Sequence, residues 1–359
     1  MVDIKALILA GGKGTRLRPI THTSAKQLVP VANKPILFYG VEAIRDAGIT
    51  DVGIIVGDTA DEVRAAVGDG SALGVHITYI PQEAPLGLAH AVKIARGFMR
   101  EEPFVMYLGD NLLSGGITDF VDEFKKGHYD AQILLTRVKN PNAFGVAELD
   151  GDRVVGLEEK PKSPKSDFAL VGVYMFTTSI FEATDKISPS RRGELEITDA
   201  IQYLIKNGYV VNSHIVDGWW KDTGKLEDML DANRMILMGM AQPERVGTRQ
   251  HEDSELHGDV HLDDDVEIRG SVLRGPCIIG AGTRIINSYV GPFTSIGAGS
   301  FLENSEIENS IVLENATIRD IGSRLGESLI GRNVTIRRCD TLPRAYRLMV
   351  GDNSEITVI

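Results

Sequence analysis

Ile4-Lys5-Ala6-Leu7-Ile8-Leu9-Ala10-Gly11-Gly12-Lys13-Gly14-Thr15-Arg16-Leu17-Arg18-Pro19 is the stretch on which the fold of this chain turns. Ile4–Leu9 is a short apolar run of the kind that forms a buried strand. It passes straight into a glycine-rich loop. Glycines let a backbone approach phosphate oxygens closely, and successive N–H groups make an anion-binding concavity. The spacing is not that of a P-loop, and Leu17 stands where the third glycine of a dinucleotide fingerprint belongs. Glycine content alone says little. Arg16 and Lys26 make the difference, because they set fixed positive charge beside the cradle.

Outward from that loop, apolar runs and helical patterns alternate. Leu37, Val41 and Ile44 recur at helical spacing, with Gly48 as the stop. Val52–Val56 reads as a second strand, Val63 and Val67 as one face of a short helix, and His76–Ile80 as a third strand. Leu88–Arg96 is helical, and Phe104–Leu108 is a fourth strand that ends at Gly109-Asp110. The pattern predicts an α/β fold with a doubly wound, mostly parallel, Rossmann-like sheet. Such sheets bind ligands beyond the carboxyl ends of their strands. Residues 131–176 hold several strand-like runs, read as an insertion of mixed strands roofing the site. Asp228–Met240 is helical, and its Met stripe is read as packing.

Past residue 250 the pattern changes. Val260, Val266, Val272, Ile278, Val290, Ile296 and Leu302 follow a six-residue period that Arg284 alone breaks. After a slip, Val312, Ile318, Ile330 and Ile336 resume it, with Arg324 as the exception. Gly280, Gly282, Gly291, Gly297 and Gly299 punctuate the runs. A β-sandwich would show period two and wider turn spacing. The sequence instead predicts a left-handed parallel β-helix. Two domains are expected, a catalytic one over 1–240 and a hexapeptide-repeat one over 250–359 with a C-terminal tail.

The 359 residues are 43 % apolar and 25 % charged, as in ordinary globular proteins, and the length favours two domains. A net charge of −12 argues against a nucleic-acid surface. Two cysteines, Cys277 and Cys339, are too few for a disulfide framework and suit a reducing compartment. No basic leader and no membrane-spanning run is read, so the expectation is a cytoplasmic, soluble protein.

The run Gly11 to Pro19, followed by Lys26-Gln27-Leu28-Val29-Pro30-Val31, resembles the signature of the sugar-nucleotide pyrophosphorylases. More narrowly, it is similar to the glucose-1-phosphate thymidylyltransferases in their long form with a C-terminal β-helix. The likeness runs from about residue 4 to 240, through several separated motifs in the same order. It implies that Leu9, Gly11, Gly12, Gly14, Thr15, Arg16 and Lys26 bind a nucleoside triphosphate. Arg16 would grip the triphosphate and the departing pyrophosphate, and Lys26 the α-phosphate. Gln82 and Gly87 match positions that read the pyrimidine edge; alone, Gln82 would be an exposed loop residue. Asp110 and Asp222 would hold Mg2+ and bring Asp110 against the nucleotide, although a lone Asp at a strand end is often a turn former.

For the sugar phosphate, Phe144-Gly145-Val146 and Glu158-Glu159-Lys160-Pro161 resemble the hexose site, with Val171 beside them. Gly145 would leave room for the ring, Glu159 accept hydroxyl hydrogen bonds, and Lys160 neutralise the phosphate. Without the resemblance, Glu159-Lys160 is an ordinary solvated pair. Phe144 departs from the tyrosine common in short forms. Arg192–Asp199 is read as a helix entry with Thr198 as a cap. His22 and His90 lie in no trustworthy ligand spacing.

The implied reaction joins glucose 1-phosphate to dTTP by in-line displacement at the α-phosphorus, with Arg16, Lys26 and Lys160 as its catalytic cations. Three alternatives stay open: UTP or another sugar phosphate as substrate, a β-helix that acetylates an amino sugar, or a catalytically silent subunit. The acetylation reading lacks a histidine on the later coils, since none follows His261. The β-helix is expected to serve assembly of a homo-oligomer or regulation, with Leu348, Met349, Val350, Ile356 and Val358 covering its end or a neighbour.

Overall fold

The computed structural model describes residues 3–12, 14–22, 24–240, 250–339, 346 and 348–357. It divides into two compact units, one of Met1–Lys13, Ser24–Leu28 and Ile36–Asp222, the other of Gly14–Thr23, Val29–Pro35 and Thr223–Ile359.

The first unit is built on a nine-stranded sheet. Across it run His76–Pro81, Asp51–Val56, Lys5–Leu9, Phe104–Leu108, Phe168–Phe176, Ala131–Arg137, Val211–Ile215, Arg153–Glu159 and Gly145–Asp150. The first four strands are parallel, with Ala6 opposite Val52 and Leu7 opposite Met106. Beyond them the sheet is mixed, because Phe168–Phe176 runs antiparallel to both neighbours. Both faces are covered. Ala6 and Ile8 join one apolar cluster with Leu37, Val41 and Phe120, whereas Leu7 and Leu9 join the other with Val92, Ile180 and Ile201. That double burial is why the first strand reads as an unbroken apolar run.

The strands of 131–176 are not a roof. Phe168–Phe176 lies mid-sheet, with Val173 and Met175 in one core and Tyr174 and Phe176 in the other. Its nine-residue run is apolar throughout except for Gly172, the mark of a central strand buried on both faces. Only the hairpin of Gly145–Asp150 and Arg153–Glu159 reaches the sheet's far edge.

The second unit carries three parallel sheets of six, five and five short strands, stacked as the coils of a β-helix. Glu267 pairs with Arg284 and Arg284 with Phe301, so a coil there takes 17 residues, not 18. The interior is filled by Ile268, Leu273, Ile279, Ile285, Val290, Ile296, Leu302, Ile307, Val312 and Ile318, in steps of mostly six and five. A strict six-residue period therefore drifts out of phase. Arg284 breaks nothing, since its neighbour Ile285 takes the interior place. Ile278 points outward and packs against Ala32 and Leu237.

Two side-chain ladders hold the coils in register. Ser271 Oγ accepts from Ser288 N at 3.0 Å, and Ser288 Oγ from Ser305 N at 3.2 Å. Asn287 and Asn304 turn the corners at φ 45° and 47°, a region asparagine tolerates, and Asn287 Nδ2 donates to Asn304 Oδ1 at 2.8 Å.

In the tail, Leu348, Met349, Val350 and Ile356 are exposed, and Val358 lies outside the described residues. No described helix is long and apolar enough to cross a membrane.

The coil phase has a direct test. Ile285→Ala should cost about 2–5 kcal/mol in denaturant unfolding, whereas Arg284→Ala should cost about 1 kcal/mol or less, being an exposed ion-pair partner. Equal costs for the two would overturn the assignment of the interior.

Candidate active site

Asp110 follows the end of the parallel strand Phe104–Leu108, where Gly109 N donates to Leu9 O at 3.0 Å. The next residues, Asn111–Leu113, pair antiparallel with Trp220–Asp222, and Asp222 stands opposite Asn111. This small ribbon delivers Asp222 to Asp110. Between them lies Lys26, whose Nζ is 2.5 Å from Asp110 Oδ2 and 3.7 Å from Asp222 Oδ1. Lys26 is only 9 % exposed, so its charge depends on these carboxylates for compensation.

Asn111 is the hub, a part that rests on partners far away in the chain. It is 2 % exposed. Its Nδ2 donates to Asp110 Oδ1 at 2.9 Å, while its Oδ1 accepts from Trp220 Nε1 at 2.6 Å and Gly172 N at 3.3 Å. One amide thus fixes the rotamer of Asp110 and ties it to the strand carrying Asp222. A side chain at Gly172 is excluded, since a Cβ there would stand 2.7 Å from Asn111 Oδ1.

The side that the sequence leads one to expect for the nucleotide comprises, within this unit, Gly11, Gly12, Gln82 and Gly87, and Gln27 lies beside them. A Cβ on Gly12 would stand 3.4 Å from Gln27 Nε2, and one on Gly11 3.5 Å from Gln82 Oε1. Gln27 is 2 % exposed, and its Oε1 has no hydrogen-bond partner among the described residues. A buried, unsatisfied carbonyl beside a glycine-lined cradle is a candidate ligand contact that the sequence reading passed over. Gly87 has φ 104°, and a Cβ there would meet Leu195 O at 2.4 Å, so glycine is required. Gln82 Nε2 lies 3.0 Å from His90 Nδ1. Burial, reinforced by Lys93, holds the His90 imidazole below its ordinary pKa. Neutral His90 accepts from Gln82 and orients its amide. Leu9 contributes its carbonyl to Gly109, and its side chain lies in the core.

Gly14, Thr15 and Arg16 belong to the second unit. Gly14 is left-handed at φ 59°, opening the turn Thr15–Leu17, which exposes Thr15 and Arg16 and buries Leu17.

On the side that the sequence leads one to expect for the sugar, Glu159 Oε2 accepts from Thr198 Oγ1 at 3.3 Å, and Glu159 Oε1 lies 3.4 Å from Arg192 Nη2 and 3.5 Å from Lys160 Nζ. Lys160 holds a left-handed backbone at φ 44°, with its N–H donating to Phe144 O at 3.0 Å. A Cβ on Gly145 would stand 2.7 Å from Thr198 Cγ2, so that glycine also admits the helix entry. Thr198 is not the cap. Glu196 occupies that place without a capping bond, and instead it takes Arg192 Nη2 at 2.8 and 2.9 Å. Arg192 is a further cation that the sequence reading left as a helix entry. Val171, expected beside the sugar phosphate, is instead 0 % exposed and packs in the core. Phe144 packs edge-on against Trp220 at 5.5 Å and 69°, which links the sugar side to the Asn111 hub.

The Nucleotidyl transferase family matches residues 5–239. The chain belongs to that family. It is 57 % identical over 99 % of both chains to a glucose-1-phosphate thymidylyltransferase of Streptomyces griseus. It is 48 % identical to Agl11, a low-salt glycan biosynthesis nucleotidyltransferase of Haloferax volcanii, over 98 % of this chain and 99 % of that one. A solved Bacillus anthracis structure, assigned as a glucose-1-phosphate thymidylyltransferase in complex with a sucrose, superposes with a TM-score of 0.61. It shares 37 % identity and covers 65 % of this chain and 94 % of its own.

For a nucleotidyl transferase, this arrangement makes two predictions. Asn111→Ala strands Gly172 N and Trp220 Nε1, so it should cost about 1–3 kcal/mol of stability and lower turnover about 10–100-fold. Unchanged steady-state rates would show that Asp110 needs no such support. The second concerns pH. His90 is neutral in the fold, and its protonation would replace the acceptor facing Gln82 with a donor. Because its pKa is depressed, the favourable state holds above the ordinary value near 6.5 and is lost as pH falls below it. Nucleotide affinity should weaken on acidification through that window, and His90→Gln should flatten the profile. Parallel profiles in the two proteins would refute the role.

Proposed function

We propose that this chain is a glucose-1-phosphate thymidylyltransferase, joining glucose 1-phosphate to dTTP to give dTDP-glucose and pyrophosphate. The observation that carries the reading is the convergence of Lys26, Asp110 and Asp222 beyond a parallel strand end. The full-length likeness to the Streptomyces griseus enzyme supports the choice of substrates.

The chemistry needs no protein nucleophile. A phosphate oxygen of glucose 1-phosphate attacks the α-phosphorus, the bond to the bridging oxygen breaks, and pyrophosphate leaves with that electron pair. The protein must bring two anions together, align them and neutralise the charge between them. Lys26 would hold the α-phosphate and Arg16 the departing pyrophosphate, while Lys160 neutralises the incoming phosphate and Glu159 accepts sugar hydroxyls. Gln82 and Gly87 would read the pyrimidine. Arg192, held by Glu196, keeps Glu159 oriented.

The residues fit a divalent cation such as Mg2+. Asp110 and Asp222 offer hard oxygens, and among the described residues no group of three His, Cys, Asp or Glu competes as a metal site. Two protein carboxylates leave room for phosphate oxygens and water, as Mg2+ prefers. When bound, the ion would supply charge neutralisation on the phosphates. We place the reaction in the cytoplasm, with residues 1–240 as the catalytic domain. The exposed tail residues Leu348 and Met349 favour a homo-oligomer.

Pyrophosphate release from dTTP and UTP, each with a panel of sugar phosphates, tests the reading. The dTTP and glucose 1-phosphate pair should give the highest kcat/KM, and a chelator should abolish it. Asp110→Asn and Asp222→Asn should each lower kcat by about 10²–10³-fold. Near-normal turnover in either variant would remove the metal assignment. A UTP preference would move the reading to a uridylyltransferase, and acetyl transfer from acetyl-CoA to a bifunctional enzyme.

A further inference from the structure

We propose that the β-helix is the mount of the phosphate-gripping loop, fixing the backbone of residues 14–22 and 29–35 so that Arg16 is ordered before the triphosphate arrives. This rests on the assignment of Arg16 to the triphosphate. Both segments belong to the C-terminal unit and not to the unit of the nine-stranded sheet.

The anchorage is specific. Pro30–Val31 and Lys34–Pro35 form a two-residue-strand hairpin whose turn places Ala32 at φ 48° and Asn33 at φ 60°. A hairpin this short is not stable alone, and an alanine is disfavoured in the left-handed region by its Cβ. The fold offsets both. Asn33 Nδ2 donates to Ile296 O of the coil at 2.8 Å. Ala32 N donates to Asn233 Oδ1 at 2.9 Å, on the helix Leu226–Gly239. Asn233 is 0 % exposed and is itself seated on the coil: its Oδ1 accepts from Ser295 Oγ at 2.6 Å and its Nδ2 donates to Phe293 O at 2.9 Å. Ala32 completes an apolar contact with Leu237 and Ile278. Here the outward-pointing Ile278 finds its purpose.

The loop of Arg16 meets the coil at a second place. Gly331 lies so close to Ile20 that a Cβ there would stand 3.2 Å from Ile20 Cδ1, and one on Gly351 would stand 3.4 Å from Pro19 Cβ. Within the loop, Leu17 N and Thr21 Oγ1 both donate to Gly14 O, at 3.0 and 2.6 Å. A glycine-rich segment loses much conformational freedom when it orders around a ligand. Contacts that order it beforehand therefore raise triphosphate affinity without touching the triphosphate.

Two full-length variants test the mount, at residues that take no part in substrate binding. Asn33→Gly keeps the left-handed turn but deletes the bond to Ile296, and Gly331→Ala sets a methyl 3.2 Å from Ile20 Cδ1, which must shift to admit it. Steady-state kinetics should show the KM for dTTP rising about fivefold or more, as expected for a loop that must now order on binding, with the KM for glucose 1-phosphate unchanged. Amide hydrogen exchange should quicken in 14–22 and 29–35. Should Gly331→Ala fail to fold, Asn33→Gly decides. Unchanged exchange in these segments, or equal rises in both KM values, would overturn the mount. If the wild-type chain releases no pyrophosphate from dTTP, the functional reading fails instead, and the exchange data still judge the mount.

Discussion

Two carboxylates and one ammonium, drawn together in a largely buried corner, set the terms for the first unit. Asp110 and Asp222 come from distant parts of the chain and carry like charge. They can share a corner because Lys26 stands between them. Replacing Lys26 would leave two like charges facing each other, and replacing a carboxylate would weaken the compensation of a nearly buried ammonium. The ribbon of Asn111–Leu113 with Trp220–Asp222 and the Asn111 amide exist around this demand. Polar groups buried this deeply must each be satisfied, and Asn111 satisfies three elements at once.

Much of the scaffold was legible because burial on both faces leaves a plain mark in composition. Lys5–Leu9, Asp51–Val56 and Phe104–Leu108 lie where their apolar runs place them. The same physics explains the misreading of 131–176, where the continuous run of Phe168–Phe176 announces a central strand and not a roof. The β-helix was legible as a repeat but not in phase. A coil of 17 residues takes one step of five and two of six, which a constant six cannot follow.

The pairing of Glu159 with Lys160 was legible because one motif keeps the two adjacent. The supporting residues were not. Asn111 gains its meaning from Gly172 and Trp220, at separations of 61 and 109 residues, and nothing local distinguishes it from a turn asparagine. Thr198 looked like a cap because it opens a helical pattern, yet its hydroxyl turns to Glu159. Val171 sits in the right strand with its side chain facing the wrong way, a distinction that depends on strand phase within a sheet buried on both sides.

The seat of Ile20 against Gly331 has a consequence for how the molecule comes into being. A ribosome delivers the glycine-rich loop among the first residues and the coil that receives Ile20 among the last. All strands of the nine-stranded sheet have emerged by Ile215, whereas the seats of the 29–35 hairpin and of Ile20 follow at Asn233, Ile296 and Gly331. The contacts that seat the glycine-rich loop are therefore among the last that synthesis makes available.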